Sequence, residues 1–147
     1  MAQPLALDFD WLERRVHFLY AWLLSSFIAA NTDWLFAGDI WMRFYNIYPA
    51  SWRSKAEGFR EGPAIAGSVV LTLLTCAITL GLLKCAGIHG YRCNMMFVLM
   101  AWFAAPAALL FTQVLWMKYA WQLAVVHSLG WLVKFEVVAV AAAVFHL

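Results

Sequence analysis

The sequence predicts an all-α integral membrane protein: four transmembrane helices, with an amphipathic interfacial segment between the first and the second. Three observations carry that prediction. Hydrophobic residues make up 65% of the 147 and charged residues 12%, with mean hydropathy +0.76, a balance found in membrane chains and not in soluble domains. The apolar residues fall into four runs of about 20, each long enough for ~30 Å of hydrocarbon. Nine Trp and eleven Phe suit interfacial belts and packed helix faces. Within lipid a span must satisfy its own backbone, so four runs mean four helices in a single domain, residues 1–147.

Residues 1–15 interleave Asp8, Asp10, Glu13, Arg14 and Arg15 with Leu5, Leu7, Phe9, Trp11 and Leu12, a pattern suited to a short interfacial lead-in. The first span is predicted at about 16–37. Arg14-Arg15, the apolar stretch 16–28 and Ala29-Ala30 imitate the three regions of a signal peptide; we expect a retained helix. Residues 38–62 mix Trp41, Phe44, Tyr45, Tyr48, Trp52 and Phe59 with Arg43, Arg53, Lys55, Glu57, Arg60 and Glu61, interrupted at Pro49. This is the predicted interfacial segment.

The second span, about 64–83, holds no charge, and Gly87 and Gly90 mark the turn after it. The third, about 94–117, has Pro106 at its centre, and only a few residues around Lys118 separate it from the fourth, about 123–145. The last two therefore form an antiparallel hairpin. Four spans place the chain's start, its end and the second loop on one membrane face, side one. Arg14, Arg15, Lys84 and Arg92 stand there against Arg43, Arg53, Lys55, Arg60 and Lys118 on side two, so basic residues do not set the orientation.

Composition narrows the function classes. A net charge of +2 is too small to argue for nucleic acid, and three Cys without a C-x-x-C pair argue against a thiol–disulfide oxidoreductase. No nucleophile elbow, phosphate loop, H-E-x-x-H or histidine-box set is present. No internal repeat signals an inverted-topology transporter.

The fourth span breaks its own rule. Lys134 stands at its midpoint and Glu136 just beyond, roughly 16 Å of helix from either interface. That is too deep for comfortable snorkelling, and each charge costs several kcal/mol unless it is paired or hydrated. At 100° per residue His127 and Gly130 share the Lys134 face, whereas Glu136 lies about 160° away. A peripheral helix with a charge on both faces implies a second protein surface, so Glu136 is a candidate partner contact. Lys134 has possible acceptors in Thr72, Thr75 and the Trp102 carbonyl, which Pro106 frees by lacking an N–H.

Counting from span midpoints puts Asp33, Gln113 and His127 in one layer about 10 Å toward side two, with Asn31 and Thr112 close by. Such a layer serves either as an interhelical hydrogen-bond network or as a cavity binding a substrate, ion or proton. On side one, Cys85, His89 and Cys93 form a C-x-x-x-H-x-x-x-C run, and His17 and His146 reach the same face. These are competent metal or haem ligands, although the spacing is no familiar finger. A Cys85–Cys93 disulfide and ordinary interfacial histidines are the other options.

The run Trp34-Leu35-Phe36-Ala37-Gly38-Asp39-Ile40-Trp41-Met42-Arg43 resembles a bacterial "domain of unknown function" family of small four-helix integral membrane proteins. That family carries an F-G-x-x-W-M-R-like motif after its first helix; here one residue is inserted between Phe36 and Gly38. Gly130-Trp131-Leu132-Val133 is similar to the family's G-Y-W-L-V. The resemblance covers most of the chain and implies a multi-pass protein of the bacterial inner membrane, with no activity attached. The family pattern has small or apolar residues where this chain has Lys134 and Glu136.

The first functional expectation is a non-enzymatic accessory or scaffold subunit of a larger membrane complex, with pigment, quinone or lipid between its aromatics. The alternative is a small oligomeric proton-coupled transporter or channel in which Asp33 and His127 titrate. A redox protein holding haem or metal through His17, His89 and His146 is third. Expected partners are the lipid bilayer and a protein or second copy within it, not nucleic acid.

Overall fold

The structure, a computed structural model, describes residues 9–36, 42–48, 61–117 and 119–147. Their regular structure is all helical, with no strand among them. The order is α1 (Phe9–Leu35), the short α2 (Met42–Ile47), α3 (Glu61–Cys85), α4 (Tyr91–Trp102), a π-helical turn (Phe103–Ala107), α5 (Ala108–Trp116) and α6 (Trp121–Val144). Three helical paths are long and apolar enough to cross a membrane: Gly62–Cys85, Tyr91–Trp116 and Trp121–Val144. In α1 the apolar run is bounded by Glu13, Arg14 and Arg15 and broken near its end by Asn31, Thr32 and Asp33. Most of the expected interfacial segment, including Trp41, Pro49 and Trp52, lies outside the described residues, as does Lys118.

Local chemistry explains the joints. The α3–α4 turn needs left-handed backbone, supplied by Gly87 at φ 63 and Gly90 at φ 89. The Ile88 N–H donates to the Leu83 carbonyl and the Gly87 N–H to that of Lys84, both at 3.2 Å, the double closure of a Schellman cap. Ile88 packs onto the core beside buried Leu83, completing the motif's apolar contact. In the third path Pro106 cannot donate, and the backbone widens into a π turn around it instead of breaking.

Contacts fix the helix directions. His17 and Tyr20 near the start of α1 each stand 6.4 Å from the Phe145 ring beyond α6, while Asp33 near its end reaches Lys134. α1 and α6 are therefore antiparallel. α3 returns alongside α1, with Lys84 over the Phe18 ring at 5.7 Å. On α4, Asn94 Nδ2 donates to the Ala139 carbonyl at 3.5 Å and Trp102 Nε1 to that of Ser128 at 2.7 Å.

One expectation is overturned. α6 is not peripheral: it packs against α1 and α3 and also against α4, the π turn and α5. Its apolar stretch is 44% buried, against 22% for the α3 span and 11% for the α4–α5 path. Small residues permit this: Ala139, Ala141 and Ala142 of α6 share one buried cluster with Ala21 and Ala29 of α1. That cluster, with Leu80, Leu83, Val98 and Val138, occupies the side-one half. On side two, residues 62–71 of α3 are all exposed, and its first buried side chain is Thr72.

Candidate functional site

Where α3 parts from the bundle, three polar groups meet. Lys134 Nζ lies 2.8 Å from Asp33 Oδ2 and 3.2 Å from Thr72 Oγ1, and the Thr72 hydroxyl donates to the same Oδ2 at 2.6 Å. The ammonium also stands over the Trp131 ring, 4.5 Å from its centroid. An ammonium has three N–H donors, and here a carboxylate, a hydroxyl and an aromatic face receive them. This is how a lysine stays at mid-helix depth. Side chains lean toward their helix N-terminus, so in antiparallel α1 and α6 Asp33 and Lys134 lean toward one another.

The pair lines a cleft of about 460 Å³ between α1, α3 and α6, a volume in the small-molecule range. Its walls are mostly apolar: Trp34, Ile65, Val69, Leu71 and Trp131, with Ala30 and Gly130 making room. Ser68, Thr75 and His127 add polar groups to the triad along the cleft. The two charges are not equally accessible, because the Lys134 side chain is 8% exposed and that of Asp33 22%. Asp33 Oδ1 accepts no hydrogen bond from a described residue.

Deeper in the α1–α3 seam, Cys76 is fully buried beside Ser25 and Ser26, and the Ser26 hydroxyl has no hydrogen-bond partner among the described residues. A turn further toward side one, Leu80 and Leu83 close the seam.

Of the expected polar layer, Asp33 and His127 share the cleft, where Lys134 joins them; the rest does not converge. Asn31 Nδ2 turns back to the Phe27 carbonyl at 2.7 Å and Thr112 Oγ1 to that of Ala108 at 2.7 Å, the local bonds such side chains make on their own helix. Gln113 is not among the cleft-lining residues. Lys134 bonds to Thr72, one of the expected acceptors, and to Asp33, which was not expected beside it. Depth counting missed the pair because it assumed that every helix is centred in one plane. α1 begins at Phe9, seven positions before the predicted start.

Glu136 sits apart on the other face of α6, with Oε2 buried and without a hydrogen-bond partner among the described residues. Its near neighbours on that face, Leu129 and Val140, are 46% and 41% exposed. The side-one ligand set is not gathered: no group of three or more His, Cys, Asp or Glu among the described residues is placed to hold a metal ion. His89 Nδ1 is 3.1 Å from the Leu147 carbonyl oxygen, His17 lies against Phe145, and His146 is in a left-handed turn at φ 54. Cys85 and Cys93 are free and exposed, not joined as a disulfide.

A family model described as "Protein of unknown function (DUF1761)" matches residues 21–143. No curated protein and no solved structure matches the chain.

Proposed function

The chain belongs to the DUF1761 family of proteins of unknown function, and we propose that it is a small proton-coupled membrane transporter or channel whose working site is the Asp33–Lys134 cleft. One observation carries this: an ion pair within the span region lines an open cleft instead of being sealed in the core. A pair that serves only helix register needs no cleft beside it, and desolvation makes it an expensive way to set register. His127 stands in the same cleft, and an imidazole can take up and release a proton. In this reading α1 is the fourth span, its stretch 16–32 uncharged between Arg15 and Asp33. The connection 38–62 lies along the interface, and the protein resides in a bacterial inner membrane.

The test is reconstitution into liposomes loaded with a pH-sensitive dye, with an imposed potential. Wild type is expected to carry protons above the empty-vesicle rate and Asp33→Asn to fall to that rate. Equal flux in the two proteins would remove the cleft from the mechanism.

A second reading, the accessory or scaffold subunit, is favoured by Glu136. A carboxylate oxygen buried without a partner among the described residues, on the edge of a face where Leu129 and Val140 are exposed, fits a contact with another membrane protein or a second copy. Native mass spectrometry in mild detergent tests it. An assembly that dissociates in Glu136→Leu supports the contact, and a monomer in both proteins refutes it.

A further inference from the structure

We propose that the cleft binds an organic ammonium ion with an apolar body, and that Lys134 is the tethered occupant it displaces. The inference rests on the proton-coupled reading and names its substrate class.

The sign of the ligand follows from the site. An anion would have to bind Lys134, yet Asp33, Thr72 and the Trp131 face already receive that ammonium. It is also the more buried partner, at 8% against 22%. Asp33 is the group turned toward the cleft, with Oδ1 unused by the described residues. A carboxylate beside an aromatic face is a cation site, and here it holds the protein's own cation. The remaining walls, Trp34, Ile65, Val69 and Leu71, offer an apolar body somewhere to lie. A bare metal ion or a polyol would leave them without use.

Exchange conserves charge. The incoming ammonium takes the Asp33 carboxylate and the Trp131 face, and Lys134 withdraws as the neutral amine. Its N–H bond breaks and one proton passes to water, so one cation enters for each H⁺ released. The other titratable groups nearby are His127 on α6 and the Cys76 thiol on α3; α3 contributes no charged residue between Pro63 and Leu83.

The experiment is calorimetric titration of the full chain in nanodiscs with benzyltriethylammonium, whose charge does not change with pH. Buffers of different ionisation enthalpy count the protons. Wild type is expected to bind saturably, to release about one proton, and to tighten about tenfold per pH unit. Lys134→Met should bind more tightly, with no proton release and no pH dependence, and should gain thermal stability from the ligand. Trp131→Leu keeps the ion pair and should bind several-fold more weakly. Asp33→Asn should not bind. Absence of saturable binding in both wild type and Lys134→Met, or binding retained in Asp33→Asn, would overturn the assignment. Asp33-dependent proton flux in liposomes without cation binding would overturn it too, while leaving the proton-coupled reading standing. Cation binding with no proton release would refute the exchange.

Discussion

The two ends of this bundle solve the same packing problem differently. At side one, α1, α3, α4 and α6 close around Leu80, Leu83, Val98, Val138 and a set of alanines, all with 3% exposure or less. At side two, α3 stands away from residue 62 to residue 71, and the space becomes the Asp33–Lys134 cleft. The switch follows side-chain size and polarity along α1. Ala21, Ser25, Ser26 and Ala29 are small and fully or almost fully buried, so α3 approaches closely; its last buried residue toward side two is Thr72, bonded to Asp33. A tight end beside an open polar end suits a protein that must stay folded while one part of it exchanges partners.

The difference should be largest for the ion pair. Lys134→Met alone leaves the Asp33 carboxylate without its ammonium and is expected to cost about 3–5 kcal/mol. The double change Asp33→Leu with Lys134→Met removes both charges and should fall within about 1 kcal/mol of wild type or above it. Chemical unfolding in mild detergent measures both. If the single variant matched wild type in stability, the pair would be hydrated rather than held by the fold, and the contrast between the ends would fail.

Next comes the sealed end. Leu83→Ala opens a cavity among fully buried side chains and should cost about 2–3 kcal/mol. Because Leu83 lies outside the cleft, binding of benzyltriethylammonium should be unchanged. A shifted affinity would show that the two ends are one cooperative unit.

How much of this was readable beforehand depends on what each feature needs. Helix existence needs only local hydropathy, and the predicted spans at 64–83, 94–117 and 123–145 fall within three residues of the observed ends. The opposition of Lys134 and Glu136 needs only helical periodicity, and it holds. The partner of Lys134 depends on relative helix height, which the sequence does not encode locally; counting from span midpoints puts Asp33 about a third of a membrane from Lys134 and level with His127. The place of α6 needed the helix order around the bundle, and that is decided by which small faces meet. Residues that bond to their own backbone, Asn31 and Thr112, look the same in sequence as residues that reach across.

One substitution made at both ends sharpens the comparison. Gly67 sits on the open half of α3 with nothing within 4 Å of an added Cβ, so Gly67→Ala should stabilise the helix by about 0.5–1 kcal/mol. Gly90 has equal space but φ +89, so Gly90→Ala strains the turn and should cost about 1–2 kcal/mol. Opposite signs in one unfolding assay are the expectation. A loss at Gly67 would mean that the open half packs against something after all.

The smallest effect concerns the rim of the open end. Tyr119 lies outside the spans at the α5–α6 hairpin, 6.4 Å from the His127 ring, and burial pushes its phenol above the ordinary value. The fold thus favours the neutral phenol, while the unfolded chain gives up that proton once pH passes about 10. Its contribution is therefore complete below about pH 10 and declines as pH rises through the higher folded value. Tyr119→Phe cannot ionise and should flatten this part of the alkaline limb in thermal unfolding. Identical alkaline slopes for the two proteins would mean that the phenol meets water freely and that the hairpin does not shield it.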